Sequence, residues 1–180
     1  MSKQAETYKN RGNDLFKKGN YQEAIEQYTF SIECSPNMHT YYTNRATCYA
    51  KMGKWESCLR DAERALKINI DWVKGWFRKG QALEGLNRYK EATEAYRRSC
   101  ALQPDNNDFK ECMKRAEAEW KKDFTPAQLA KDAANQLFKA GSIEEAIPAY
   151  EKALSVCKDE SDNQTKADLH NNLAHCYMQL

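Results

Sequence analysis

The sequence predicts an all-α fold assembled from repeated helical hairpins, and three observations carry that prediction. Of the 180 residues, 41% are apolar and 30% charged, a globular balance, while 7 Gly and 4 Pro leave too little turn chemistry for a many-stranded sandwich or barrel. Gly12, Ala46 and Gly80 stand 34 residues apart, as do Tyr21, Trp55 and Tyr89, the small residues Ala24, Cys58 and Ala92, and the series Tyr28, Ala62 and Tyr96. Within a unit, TYKNRGNDLFKKG and NYQEAIEQYTFSIECSPN both show helical periodicity, with Gly-Asn between them and Pro at the end.

Taken in order, the units run over residues 5–38, 39–72 and 73–106, with Pro36 and Pro104 closing the first and third and Ile70 in the proline place of the second. Asn20 with Glu23, and Ser142 with Glu145, have the spacing of capping boxes that open the second helix of a hairpin. Residues 107–122 predict one amphipathic capping helix, with Phe109, Cys112, Met113, Ala116 and Trp120 on its apolar face, completing a first array over 1–122. A linker follows at 123–126, where Thr125 is an N-cap, Pro126 the first helical residue and Gln128 the capping-box partner. A second array then starts at 127. Its unit 127–160 sets Ala134, Leu137, Gly141, Ala146, Tyr150 and Ala153 in the places of Gly12, Leu15, Gly19, Ala24, Tyr28 and Ser31. Pro148 falls inside its second helix, where a lost N–H predicts a bend. Ala174 repeats Ala134 after 40 residues, so about six are inserted around CKDESDNQ before a truncated unit at 167–180. Ending inside a hairpin, the sequence is expected to be the N-terminal portion of a longer protein.

This register resembles the tetratricopeptide repeat family, with small residues at the eighth, twentieth and twenty-seventh places and Pro at the thirty-second. The resemblance implies a right-handed superhelical solenoid of antiparallel helix pairs, in which the first helices of the units line a concave face. It also implies that the Tyr, Trp and Leu residues in register are packing residues.

Composition excludes several function classes. Opposing 28 Lys and Arg to 26 Asp and Glu leaves a net charge of +2, so no global field points to nucleic acid or an anionic membrane. No apolar run approaches the ~20 residues of a membrane helix, and the polar start MSKQAETYKN is no secretion signal, so a cytoplasmic protein is expected. Seven cysteines without a C-x-x-C pair suit neither a disulfide framework nor a zinc site, and each is expected to be a small buried hydrophobe. His39, His170 and His175 fit no common metal spacing, and phosphate-binding, dinucleotide and hydrolase motifs are missing. No enzyme, metal or cofactor is expected.

The polar positions of the first helices are more informative. Lys9 and Asn13 lie at i and i+4 in unit one, Asn44 in unit two, and Lys74 and Arg78 at i and i+4 in unit three. Stacked cations repel and Asn is a poor helix former, so the set is locally unfavourable unless a ligand relieves it. Three cations and two amides converging on one groove suit two adjacent carboxylates, such as the side chain and free terminus of a C-terminal Asp. These residues, in YKNRGN, TNRATCYA and DWVKGWFRKG, resemble the carboxylate clamp of tetratricopeptide co-chaperones. That resemblance implies a chaperone-binding adaptor whose partners are the Glu-Glu-Val-Asp tails of cytosolic heat-shock chaperones, of the 70 kDa class, the 90 kDa class or both. It further implies that Phe16, Thr47, Ala50, Lys51, Gln81 and Glu84 face the peptide upstream of its terminal Asp. Thr47 is more polar, and Gly85 barer, than the family often shows at those places.

Lys131 and Asn135 hold the places of Lys9 and Asn13, and Asn172 that of Asn44, so a second, partial clamp is expected in the second array. Its two remaining cations would fall on a unit after Leu180. Competing functions are a module of the same architecture that reads another peptide, the targeting arm of a larger enzyme and, more distantly, RNA binding.

Overall fold

The computed structural model describes residues 3–122, 124–157 and 162–179. Asp123 of the expected linker, residues 158–161 of the expected insertion and Leu180 lie outside the described residues. The chain divides into two compact units, Met1–Trp120 and Lys121–Leu180. Unit one contains α1 (Lys3–Lys17), α2 (Tyr21–Cys34), α3 (His39–Lys51), α4 (Trp55–Ile68), α5 (Val73–Gly85), α6 (Tyr89–Leu102) and α7 (Asn107–Lys121), whose last residue falls past the division. Unit two contains α8 (Pro126–Lys139), α9 (Ile143–Val156) and α10 (Asn163–Tyr177). Each unit is built of antiparallel helix pairs, and within unit one α3 also packs on α5. Among the described residues no helix is long and apolar enough to cross a membrane.

One turn chemistry makes every hairpin. At the end of α1, Gly19 takes φ +82°, its N–H donates to the Phe16 carbonyl and the Asn20 N–H to that of Leu15, a Schellman closure with glycine at the left-handed position. The same pair of bonds recurs at Gly53 and Lys54, at Asn87 and Arg88, and at Gly141 and Ser142. The second residue of this closure is therefore also the N-cap of the next helix, which corrects two of the expected capping boxes. Asn20 and Ser142 sit at ψ 65° and make no side-chain cap bond. Their backbone is committed to closing the preceding helix and leaves the extended region from which an N-cap side chain reaches forward. The Asn20 side chain instead donates to the Glu23 carboxylate, at 3.4 Å. Thr125 carries no such duty and stands at ψ 158°, and there the box with Gln128 forms in full.

Packing follows the small-residue register. A Cβ on Gly12 would lie 2.7 Å from the Tyr28 ring, so glycine lets that ring lie directly on α1. Where unit two of the repeat has Ala46, the facing aromatic is replaced by Ala62, and both alanines are fully buried. Gly85 is bare for the same reason: a Cβ there would meet Trp55 at 2.3 Å. Its missing side chain serves Trp55 on α4 and is not a feature of the groove. Helix α9 continues through Pro148. The thiols divide: Cys48, Cys58 and Cys176 are buried as expected, whereas Cys34 is exposed at the last position of α2 and Cys100, Cys112 and Cys157 are only partly covered.

Candidate functional site

Helices α1, α3 and α5 present their polar positions to one groove of about 380 Å³. Asn13, Phe16, Thr43, Asn44, Thr47, Lys74, Phe77 and Arg78 line it, together with Tyr28 from α2 and Phe109 from α7. The two asparagines are held as a pair. The Tyr28 hydroxyl donates to Asn13 Oδ1 at 2.8 Å, and Asn44 Nδ2 donates to the same oxygen at 3.4 Å. Two donors engage that oxygen, so the Asn13 amide has one orientation and its N–H donors face the other way. Burial, with Cys48 nearby, raises the pKa of Tyr28, which keeps its hydroxyl a donor.

The cations differ in their counter-charges. Among the described residues neither Lys74 nor Arg78 is ion-paired with a carboxylate. Arg78 is partly buried, its guanidinium 5.5 Å from the Phe77 ring centre and donating to Gln81 Oε1. Burial disfavours its charge and lowers its pKa. The groups whose ionised forms would favour its charge are Cys58, Tyr96 and Cys48, but burial pushes both thiols up to about 12 and raises Tyr96 as well, so all three are neutral at ordinary pH. Lys74 is exposed, 6.0 Å from the Trp72 ring centre. A partly desolvated cation with no carboxylate partner among the described residues, beside a second cation and two oriented amides, has the chemistry to hold an anion with two or more acceptor oxygens. The rings of Phe16, Phe77 and Phe109 give the same groove an apolar wall, with Phe77 and Phe109 in contact at 4.8 Å.

Four of the five expected clamp residues thus line one groove. Lys9 lies one turn before Asn13, outside the lining and ion-paired with Glu6. Of the expected peptide contacts, Phe16 and Thr47 line the groove, and Thr47 reads less polar than its type because its hydroxyl donates to the Thr43 carbonyl at 2.7 Å. Ala50 packs against Ala46, Cys58 and Ala82, Lys51 is exposed at the end of α3, and Gln81 holds Arg78. Glu84 turns away from the lining: it takes two bonds from Arg115 on α7, at 2.7 and 3.0 Å, and one from the Tyr96 hydroxyl at 2.8 Å. Sequence reasoning missed Tyr28, Thr43, Phe77 and Phe109. Tyr28 has the repeat spacing of a core aromatic, which it also is, and its place fifteen residues after Asn13 was the available signal.

Unit two repeats the asparagine arrangement. The Tyr150 hydroxyl donates to Asn135 Oδ1 at 2.7 Å and Asn172 Nδ2 donates to it at 2.9 Å. Lys131 is ion-paired with Asp168 at 2.6 Å. Among the described residues no three His, Cys, Asp or Glu side chains are grouped to hold a metal ion.

Residues 5–38, 73–106 and 134–160, together more than half of the chain, match the tetratricopeptide repeat family. Hsp70-Hsp90 organizing protein 3 of Arabidopsis thaliana is 37% identical over 129 residues, 69% of this chain and 23% of that protein. Heat shock protein STI1 of Saccharomyces cerevisiae is 41% identical over 113 residues, 62% of this chain and 19% of that protein. The chain thus spans at most about a quarter of these relatives. Among solved structures, the first TPR of Spaghetti (RPAP3) bound to the HSP90 peptide SRMEEVD superposes with a TM-score of 0.64 at 31% identity, covering 65% of this chain and 93% of that one.

Proposed function

The chain belongs to the tetratricopeptide repeat family, and on that premise we propose that it is a non-enzymatic cytoplasmic adaptor whose first array holds the free acidic C-terminal tails of Hsp70 and Hsp90 chaperones. The observation that carries the reading is the pair Lys74 and Arg78, without carboxylate partners among the described residues, facing Asn13 and Asn44 across one groove. A terminal Asp brings two carboxylates a few bonds apart. One takes the guanidinium and ammonium of α5, the other the oriented amides of α1 and α3, and Lys9 joins by exchanging Glu6 for the ligand. The Phe16, Phe77 and Phe109 wall receives the apolar side chain that precedes the terminal Asp. The likeness to a domain bound to a peptide ending in Glu-Glu-Val-Asp supports this ligand class.

The test is truncation of either α5 cation. Lys74→Ala or Arg78→Ala is expected to weaken a Glu-Glu-Val-Asp peptide by roughly 2 to 4 kcal/mol, because a ligand carboxylate is left partly desolvated without its counter-charge. The melting temperature should stay equal or rise, since the variant removes an uncompensated cation. Peptide affinity unchanged in both variants would contradict the reading.

The second array, from residue 127, carries a partial clamp of the same kind. The Tyr150, Asn135 and Asn172 arrangement supports it, with Lys131 on the same helix as Asn135.

A further inference from the structure

The partial clamp of the second array differs from the first in one charged contact, and the difference lies in the residue that the facing helix places one turn before its asparagine. Asn13 meets Asn44 across an offset of 31 residues, and Asn135 meets Asn172 across an offset of 37. Counting back one turn on both helices pairs Lys9 with Thr40 in the first array and Lys131 with Asp168 in the second. The counter-charges follow these places. Lys9 pairs with Glu6, three residues back on its own helix. The matching place in the second array is Gln128, which is occupied by its capping box with Thr125. Lys131 instead reaches across to Asp168, whose Oδ2 lies 2.6 Å from Nζ and whose Oδ1 accepts from Gln164 Nε2 at 3.0 Å. Both oxygens of Asp168 are engaged, one of them by the cation that the register sets beside Asn135.

We propose that Asp168 is a built-in carboxylate that occupies Lys131 in place of a ligand, and so lowers the affinity of the second array for acidic C-terminal tails relative to the first. The inference rests on the reading of Lys131, Asn135 and Asn172 as a partial clamp. Glu6 and Asp168 are not equivalent competitors. A ligand displaces Glu6 by a rotamer change along one exposed helix face. Displacing Asp168 breaks a bond between two helices and releases a carboxylate that a second donor holds in place. The anion set free also stays beside the incoming one, so like charges meet where the ligand needs only cations. Asp168 therefore acts as a specificity-determining residue, favouring ligands that use the asparagine amides without presenting a carboxylate to Lys131.

Two variants of the whole chain test this. Thr40→Asp transplants the carboxylate opposite Lys9. By calorimetry it should weaken a free Met-Glu-Glu-Val-Asp peptide at the first array about fivefold, the effect of an exposed ion pair, while Thr40→Asn stays within about twofold. Asp168→Asn should respond in the second array. Side-chain amide signals of Asn135 and Asn172, followed by NMR during titration with N-acetyl-Val-Asp, should shift at about fivefold lower concentration than in the unsubstituted chain. Normal circular dichroism and melting of each variant separate these effects from misfolding. If the unsubstituted chain binds the peptide and Thr40→Asp binds it equally well, the inference falls while the tail-binding reading stands. Identical amide titrations with and without Asp168 also overturn it. If the unsubstituted chain binds no peptide at all, the tail-binding reading fails and this inference with it.

Discussion

The two arrays share one hydrogen-bond scaffold and differ in the charges hung on it. In each, a buried tyrosine hydroxyl and a facing asparagine amide hold the oxygen of a helix-interior asparagine, at 2.8 and 3.4 Å around Asn13 and at 2.7 and 2.9 Å around Asn135. One residue after the facing asparagine they part. Arg45 forms a bidentate pair with buried Asp61, at 2.7 and 2.8 Å, and also donates to the Thr29 hydroxyl, whereas Leu173 holds the corresponding place as a core residue. The lysine one turn before the asparagine is answered by Glu6 in the first array and by Asp168 in the second. The difference teaches that orienting the amides and supplying the counter-charge are separate inventions. Packing and the tyrosine fix the amides, and other positions supply the lysine's counter-charge, Glu6 on its own helix in the first array and Asp168 on the facing helix in the second.

The largest expected effect lies at the place where the arrays use an ion pair and a leucine. Arg45→Ala leaves Asp61, 5% exposed, without its guanidinium, and should cost roughly 3 kcal/mol in denaturant unfolding of the first array. Extending the apolar choice seen at Leu173 to both sides of the pair, Arg45→Leu with Asp61→Leu, should recover at least about half of that loss, because no charge is then stranded. A double variant no better than Arg45→Leu alone would show that the pair does more than satisfy itself.

A smaller effect separates scaffold from charge. Asn13→Asp keeps an oxygen for Tyr28 and Asn44 but replaces the amide donors with a second anionic oxygen. Tail-peptide binding should fall by roughly 2 kcal/mol by calorimetry, with little change in melting temperature. Asn135→Asp, made at the same place in the second array, should leave binding by the first array unchanged. If the two substitutions weaken the same peptide equally, the arrays do not act as separate sites.

The smallest effect is one of pH. Burial works against the ionised form of Glu84, and hydrogen bonds from Arg115 and Tyr96 overcome it, so its folded pKa is depressed. Stability from this pair is therefore fully present above the unfolded carboxylate value, near 4.3. It is lost as pH falls through the lower folded value. Glu84→Gln should flatten the acid limb of the stability profile by less than about 1 kcal/mol, Arg115 being largely exposed. Asp168, held by Lys131 and Gln164, is also lowered and should add the same sign of dependence to the second array.

Much of this was legible in the sequence because a 34-residue period fixes which positions share a helix face. That arithmetic brought Asn13, Asn44, Lys74 and Arg78 to one groove and matched Asn135 and Asn172 to their counterparts. It failed where a side chain had a choice of partners. Glu84 has groove spacing, yet Arg115 on the capping helix, outside the repeat register, draws it away. Asn20 and Ser142 have capping spacing, yet their backbone is held by the preceding glycine turn. Phe109 belongs to the capping helix and has no counterpart in the repeat, so no period could assign it to the groove wall. Asp168 was within reach: the count that aligned Asn172 with Asn44 also aligns Asp168 with Thr40, one turn before the facing asparagine.

The central claim, that the first array reads a free carboxyl terminus, is tested most directly by calorimetry of the 180-residue chain with one Glu-Glu-Val-Asp peptide in two forms. The free acid should bind in the micromolar range, about −8 kcal/mol or somewhat weaker, since a short flexible ligand loses entropy on docking. The same peptide amidated at its C-terminus should lose nearly all of that heat, because Lys74, Arg78 and the two amides then face one carboxylate instead of two. Equal binding of the two forms would contradict the account.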